Sequence, residues 1–86
     1  MGMYSMKSYK LLDNEFNYLI SVINRNKFTC RNNVYYFCGD SDELDDMLSR
    51  LKGLYGYFDE YNPNIIYKCF RDGNLEPFRI EMNKNK

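Results

Sequence analysis

Asp40, Asp42 and Asp45 bring three carboxylates within six residues, the kind of cluster that could gather a hard cation such as Mg²⁺. The spacing is not that of an EF-hand, because the turn glycine and the terminal bidentate acid are missing from their places. A helix start accounts for the same residues without any ligand. The chain contains no histidine. No side chain therefore titrates near neutrality at its unperturbed value, and neither a Cys–His pair nor a Ser–His–Asp triad is available within one chain. No catalytic residue, metal or cofactor is expected.

The three cysteines, Cys30, Cys38 and Cys69, are odd in number and have no CxxC spacing. That disfavours both a secreted disulfide framework and a zinc site, and reads as reduced thiols packed as small hydrophobes. Gly53-Leu54-Tyr55-Gly56 has the outline of the GxxG loop that clamps a nucleic-acid backbone. Its central residues are apolar and acids follow at Asp59 and Glu60, so a helix terminus is the better account.

Two groups of side chains could make contacts. Tyr55, Tyr57, Phe58 and Tyr61 put four aromatics within seven residues, next to Asp59 and Glu60. Tyrosine offers a large surface with few rotors to freeze, which suits protein interfaces, although the same rings could close the open end of a core. Asp42, Asp45 and Asp46 precede them on what reads as one helix. Together these acids resemble a row of phosphates and fit a basic groove on another protein. The second group joins Tyr35, Phe37 and Phe70 with Lys27, Arg31, Lys68, Arg71 and Arg79, an aromatic and basic sheet surface of the type that stacks bases.

Charge distribution favours the first group. Acidic and basic residues balance over the whole chain, but residues 40–62 hold seven acids against Arg50 and Lys52, between two basic flanks. Zero net charge supplies little of the long-range attraction that nucleic-acid binding uses. The 86 residues suffice for one domain, and nine Tyr and six Phe can fill its core without metals or disulfides. Neither a membrane-spanning run nor a signal peptide is evident, so a cytoplasmic protein is expected. Ala, Gln and Trp are absent along with His, while Asn, Lys, Tyr and Ile abound. Such a bias reads as AT-rich coding, as in a low-GC bacterium, its phage or plasmid, or an AT-rich virus.

The elements that must position these residues follow from periodicity. Asp13 reads as an N-cap for a helix to Arg25, with Phe16, Leu19, Ile20 and Ile23 on one stripe. Phe28–Cys30 and Val34–Cys38 read as a hairpin across Arg31-Asn32-Asn33. Asp40 and Glu43 stand in capping-box spacing ahead of Leu44, Met47, Leu48, Leu51, Leu54 and Tyr55, a second helix that Gly53 and Gly56 end. Ile65–Phe70 and Phe78–Met82 read as third and fourth strands about an Asp72-Gly73 turn, with Pro77 marking a sheet edge, and Tyr4–Leu12 as a fifth. The expectation is an α+β domain in αββαββ order, with two helices on one face of an antiparallel sheet of four to five strands. Residues 1–12 form an N-terminal segment with a candidate edge strand, 13–82 the domain, and 83–86 a polar tail.

The functional expectation is a small non-enzymatic protein that binds and inhibits a host protein, such as a basic nucleic-acid-binding factor. Phage and mobile-element genomes encode anti-defence and anti-CRISPR inhibitors of this size. The contact residues are Asp42, Asp45, Asp46, Tyr57, Phe58, Asp59, Glu60 and Tyr61. The alternative is a nucleic-acid-binding regulator using Lys27, Arg31, Lys68, Arg71 and Arg79. A homodimer through an open strand edge is compatible with either.

Overall fold

Asn32 and Asn33 both take positive φ, 53° and 65°, in the two-residue turn that the asparagines announce. The turn joins two strands of a computed structural model that describes residues 6–84. These are β2 (Phe28–Arg31) and β3 (Val34–Gly39), paired antiparallel with Phe28 opposite Phe37 and Arg31 opposite Val34. A first strand, β1 (Lys7–Lys10), pairs with the other side of β3 and places Tyr9 opposite Phe37. The sheet order is β1-β3-β2. Tyr4 and Ser5, where the N-terminal strand was expected to begin, lie outside the described residues.

Helix α1 (Asp13–Leu19) follows β1, and its N-cap is Leu12 rather than Asp13. It stops well short of Arg25, although Ile23 still donates its N–H to the Leu19 carbonyl at 2.8 Å. A short 3-10 turn over Arg25–Lys27, whose Asn24 cap accepts from the Asn26 N–H at 2.9 Å, leads into β2.

Helix α2 (Ser41–Leu51) begins as its sequence requires. Asp40 Oδ1 accepts from the Glu43 N–H and Glu43 Oε1 from the Asp40 N–H, each at 2.9 Å. Leu44, Met47, Leu48 and Leu51 are fully buried, each worth roughly 1.5–3 kcal/mol relative to exposure. This helix lies at the centre of the helical layer, touching α1, β3 and the following helix α3 (Asn64–Asp72).

The C-terminal third corrects the sequence reading. Ile65–Phe70 is not a strand but most of α3, and Phe78–Met82 lies within a fourth helix, α4 (Glu76–Lys84). In α3 the inward residues are Ile65 and Cys69, with Ile66 and Phe70 beside them at the same four-residue interval. In α4 the buried residues are Phe78 and Met82, preceded by Leu75, while Ile80 is 60 % exposed. That is helical spacing, and the apparent alternation of Phe78, Ile80 and Met82 is coincidental to it. Pro77 occupies the first turn of α4, where its missing N–H has no intrahelical role. Gly73 ends α3 at φ 70° with its N–H on the Cys69 carbonyl at 2.8 Å, so Asp72-Gly73 is a helix terminus rather than a strand turn.

The architecture is therefore α+β, with four helices and a three-stranded antiparallel sheet among the described residues, in the order βαββααα. The expected αββαββ duplication, with two helices and four to five strands, is replaced. One sheet face, carrying Tyr9, Tyr35 and Phe37, turns to the helices, and the other leaves Ser8, Lys10, Thr29 and Arg31 exposed. Residues 85–86 of the expected tail lie outside the described residues, and Lys84 closes α4.

A buried polar knot ties the two ends of the domain. The Glu15 carboxylate, wholly inaccessible to solvent, accepts from the Leu12 N–H, from Tyr55 Oη at 2.5 Å, and from Arg79 Nε and Nη2 at 2.9 and 2.8 Å. Arg79 further donates to the Lys10 carbonyl and to Glu76. Burial alone would raise the Glu15 carboxyl, but the bonds from Arg79, Leu12 and Tyr55 outweigh it and hold the group below the ordinary carboxylate value.

Candidate protein-binding surface

Because α2 buries Leu44, Met47, Leu48 and Leu51, its helical period leaves Asp42, Asp45, Asp46, Ser49 and Arg50 in solvent. The capping box fixes where that period starts. Asp46 pairs with Arg50 across one turn at 3.2 Å, an exposed bridge of small energetic weight. Glu43 reaches out of the capping box to pair with Lys27.

Beyond α2 a 3-10 turn over Lys52–Tyr55 ends at Gly56, φ 72°, and the chain doubles back across the end of the helix. Tyr57 N–H bonds the Lys52 carbonyl at 3.1 Å, Lys52 Nζ reaches the Asp59 carbonyl at 3.3 Å, and Tyr61 Oη meets Ser49 Oγ at 3.3 Å. These bonds lay the Gly56–Tyr61 loop against the acidic helix.

The aromatic cluster divides. Tyr55 and Tyr61 pack edge-on to Phe78, with ring centroids 6.1 and 5.7 Å away. Burial raises the Tyr61 phenol, and the nearby Asp45 and Glu60 carboxylates raise it further. Tyr57 is half-buried. Phe58 points the other way and is 86 % exposed, with Asp59 and Glu60 exposed beside it. Core closure thus accounts for Tyr55 and Tyr61, but not for Phe58.

Beside Phe58 runs an open cleft of about 360 Å³, lined by Tyr18, Val22, Arg50 and Tyr57 among others. A second cleft of about 410 Å³ shares Val22 and Arg50 with it and extends past Ile23 and Phe37 to Asp42 and Asp46. The two form one continuous grooved surface between the end of α1 and the exposed side of α2. Asp42, Asp46, Tyr57 and Phe58 all border it, whereas Asp45 and Glu60 lie toward Tyr61. Tyr18 and Val22 were not singled out from the sequence. Their i,i+4 spacing, off the stripe of Phe16, Leu19 and Ile23, is the signal that could have found them.

The residues of the nucleic-acid alternative do not converge. Lys27 is engaged by Glu43, and Arg79 is only 12 % exposed against Glu15. Arg31 lies on the open sheet face, 4.5 Å over the Tyr36 ring, while Lys68 and Arg71 belong to α3. Arg71 also pairs with Asp72 at 2.9 Å. Tyr35 and Phe37 turn toward the helices, and Phe70 sits under the Lys7 ammonium.

The thiols expected to pack as small hydrophobes do so only in part: Cys30 is exposed and Cys38 half-buried, on opposite sheet faces, while Cys69 is buried, in α3 rather than the sheet, where burial pushes its thiol up to about 11. Among the described residues no group of three or more His, Cys, Asp or Glu side chains is placed to hold a metal ion. Nor is any described helix long and apolar enough to cross a membrane. No family model, curated protein or solved structure matches this chain.

Proposed function

We propose that this chain is a non-enzymatic protein that binds another protein and blocks it, using the exposed side of α2 and the loop that follows. The observation that carries the reading is Phe58, a whole aromatic ring in solvent beside a partly apolar groove. An aromatic anchor with charges around it is the usual make-up of an energetic centre in an interface. Tyr57 and Val22 extend the apolar part. Asp42 and Asp46 border the groove, where Glu43 and Asp46 pair with Lys27 and Arg50, and Asp45, Asp59 and Glu60 are exposed nearby; this excess of exposed carboxylates favours a partner surface that is basic. Such a surface is typical of nucleic-acid-binding proteins. The AT-rich bias of the composition and the small size support an origin in a phage or mobile element, with a host factor as target.

The test is affinity capture from nuclease-treated lysate of an AT-rich bacterial host, with the wild-type chain, Phe58→Asp, and the double variant Asp42→Lys/Asp45→Lys. Urea midpoints establish that each bait is folded. A protein retained by the wild type and lost from both variants is the expected result. Retention by all three baits would remove this surface from the interaction.

A further inference from the structure

Among the described residues, β2 is paired on one side only, with β3, and its outer edge has no strand against it. Across the ladder from Cys30 stands Tyr35, whose carbonyl accepts from the Leu11 N–H at 2.9 Å on the β1 side. Main-chain groups along an antiparallel strand turn alternately to one neighbour and the other, so those of Cys30 point away from β3. The two-residue turn demands the same orientation, because it closes on a hydrogen-bonded Arg31–Val34 pair. Phe28 is turned like Cys30, but the Arg25 carbonyl already takes its N–H. The edge thus offers the Cys30 N–H, the Cys30 carbonyl and the Phe28 carbonyl to a further strand.

A cleft of about 370 Å³ opens at that same edge. Phe16, Phe28 and Tyr35 wall it, and Arg25, Asn26 and Cys30 stand at its rim. The Phe16 and Tyr35 rings stack at 3.8 Å and 4°, and Phe28 meets Phe16 edge-on at 5.3 Å, so the wall is built before anything enters. Its volume suits a large side chain. Among the described residues no carboxylate lines the cleft, and the exposed charges at this edge are Arg25 and Arg31.

We propose that the β2 edge accepts an extended acidic segment of a partner protein as a fourth strand, with one large apolar side chain of that segment seated in the cleft. Main-chain bonds to Cys30 and Phe28 supply the pairing, and the cleft and the arginines supply the selectivity. The residue paired with Cys30 projects on the same side as Cys30 and so enters the cleft. Its neighbours in sequence project on the side of Arg31, where an acidic residue finds its counter-charge. A second copy of this chain is a poor occupant. Symmetric pairing of two β2 edges gathers Arg25 and Arg31 of both copies with no carboxylate between them.

Fluorescence anisotropy with short labelled peptides of alternating Thr and Val tests this. One probe carries Glu-Phe-Glu at its centre, a second Lys-Phe-Lys, and a third is the Glu probe methylated on the central Phe nitrogen. The Glu probe should bind the wild type, with the Lys and methylated probes weaker by about tenfold or more, as expected for a charge pair or a main-chain bond lost from a small interface. Arg31→Glu should transfer the preference to the Lys probe. Cys30→Pro, which removes an outward N–H without touching the β3 ladder, should lose binding while its circular dichroism stays native. Phe58→Asp should bind the Glu probe as the wild type does. The proposal is overturned if no probe binds, if all three bind equally, or if sedimentation shows a dimer that Cys30→Pro dissolves.

Discussion

Arg79 grips both oxygens of the buried Glu15 carboxylate, with Nε 2.9 Å from Oε2 and Nη2 2.8 Å from Oε1, across sixty-four residues of sequence. The pair joins α1 to α4, and through the Lys10 carbonyl it joins both to β1. Four donors meet the four lone-pair directions of one carboxylate, which is what allows a charge to remain in a place that water does not reach.

Removing the cation alone should be costly. Arg79→Ala leaves Glu15 charged and largely unpaired in the core, and a loss of about 3–5 kcal/mol in urea unfolding is expected. Ile80→Ala, one residue away, is the control. A loss under 1 kcal/mol for Arg79→Ala would mean that water reaches Glu15.

Acid should weaken the fold through the same carboxylate. Its folded pKa lies below the ordinary value, so its contribution is fully present above the unfolded value of about 4.3 and disappears as pH falls through the folded one. Between the two, the unfolded chain holds a proton that the native chain does not. Glu43 is also held down, by the bond from Lys27, but that pair is partly exposed and screened by solvent, so its share is small. Stability measured from pH 6 to pH 2 should therefore fall less steeply below about pH 4.3 in Glu15→Gln than in the wild type. Parallel slopes would assign the acid sensitivity elsewhere.

Tyr9 is the opposite case. Its hydroxyl is buried without a hydrogen-bond partner among the described residues, and burial, aided by Cys69 and Asp40, pushes it up to about 12. An unsatisfied buried hydroxyl is a cost that phenylalanine does not carry. Tyr9→Phe should raise stability by about 1 kcal/mol, read as a higher melting temperature. A drop of similar size would reveal a bonded hydroxyl.

The helical nature of the C-terminal segment makes a sharp contrast between near neighbours. Phe78→Ala empties a core position touched by Tyr55 and Tyr61 and should cost about 3–5 kcal/mol, whereas Ile80→Ala should stay within about 0.5 kcal/mol. A strand would put both residues on one face and make both substitutions expensive.

What was legible in the sequence shares one property: partners a few residues apart. Asp40 and Glu43 cap one another over three residues, so the start of α2 and the exposure of Asp42, Asp45 and Asp46 could be read directly. The Asn32-Asn33 turn was equally local, because those two residues supply the backbone angles it needs. In α3 and α4 local preference misled. Ile65, Ile66, Tyr67 and Phe70 are good strand formers, but the four-residue spacing of Ile65 with Cys69 matches a groove beside α2, and burial there outweighs propensity.

Past Gly56 no period remains to say which aromatic faces inward. Phe78 and Ser49 draw Tyr61 in, and Phe58 is left outside. The Glu15–Arg79 pair was likewise invisible, since nothing in the neighbourhood of either residue names the other. The sequence by itself determined the hairpin, the capped acidic helix and the distribution of charge, because hydrogen bonds between near neighbours suffice for these. Only the tertiary structure decided the last two helices, the buried ion pair and the outward Phe58, because each depends on which distant surface has room for the side chain.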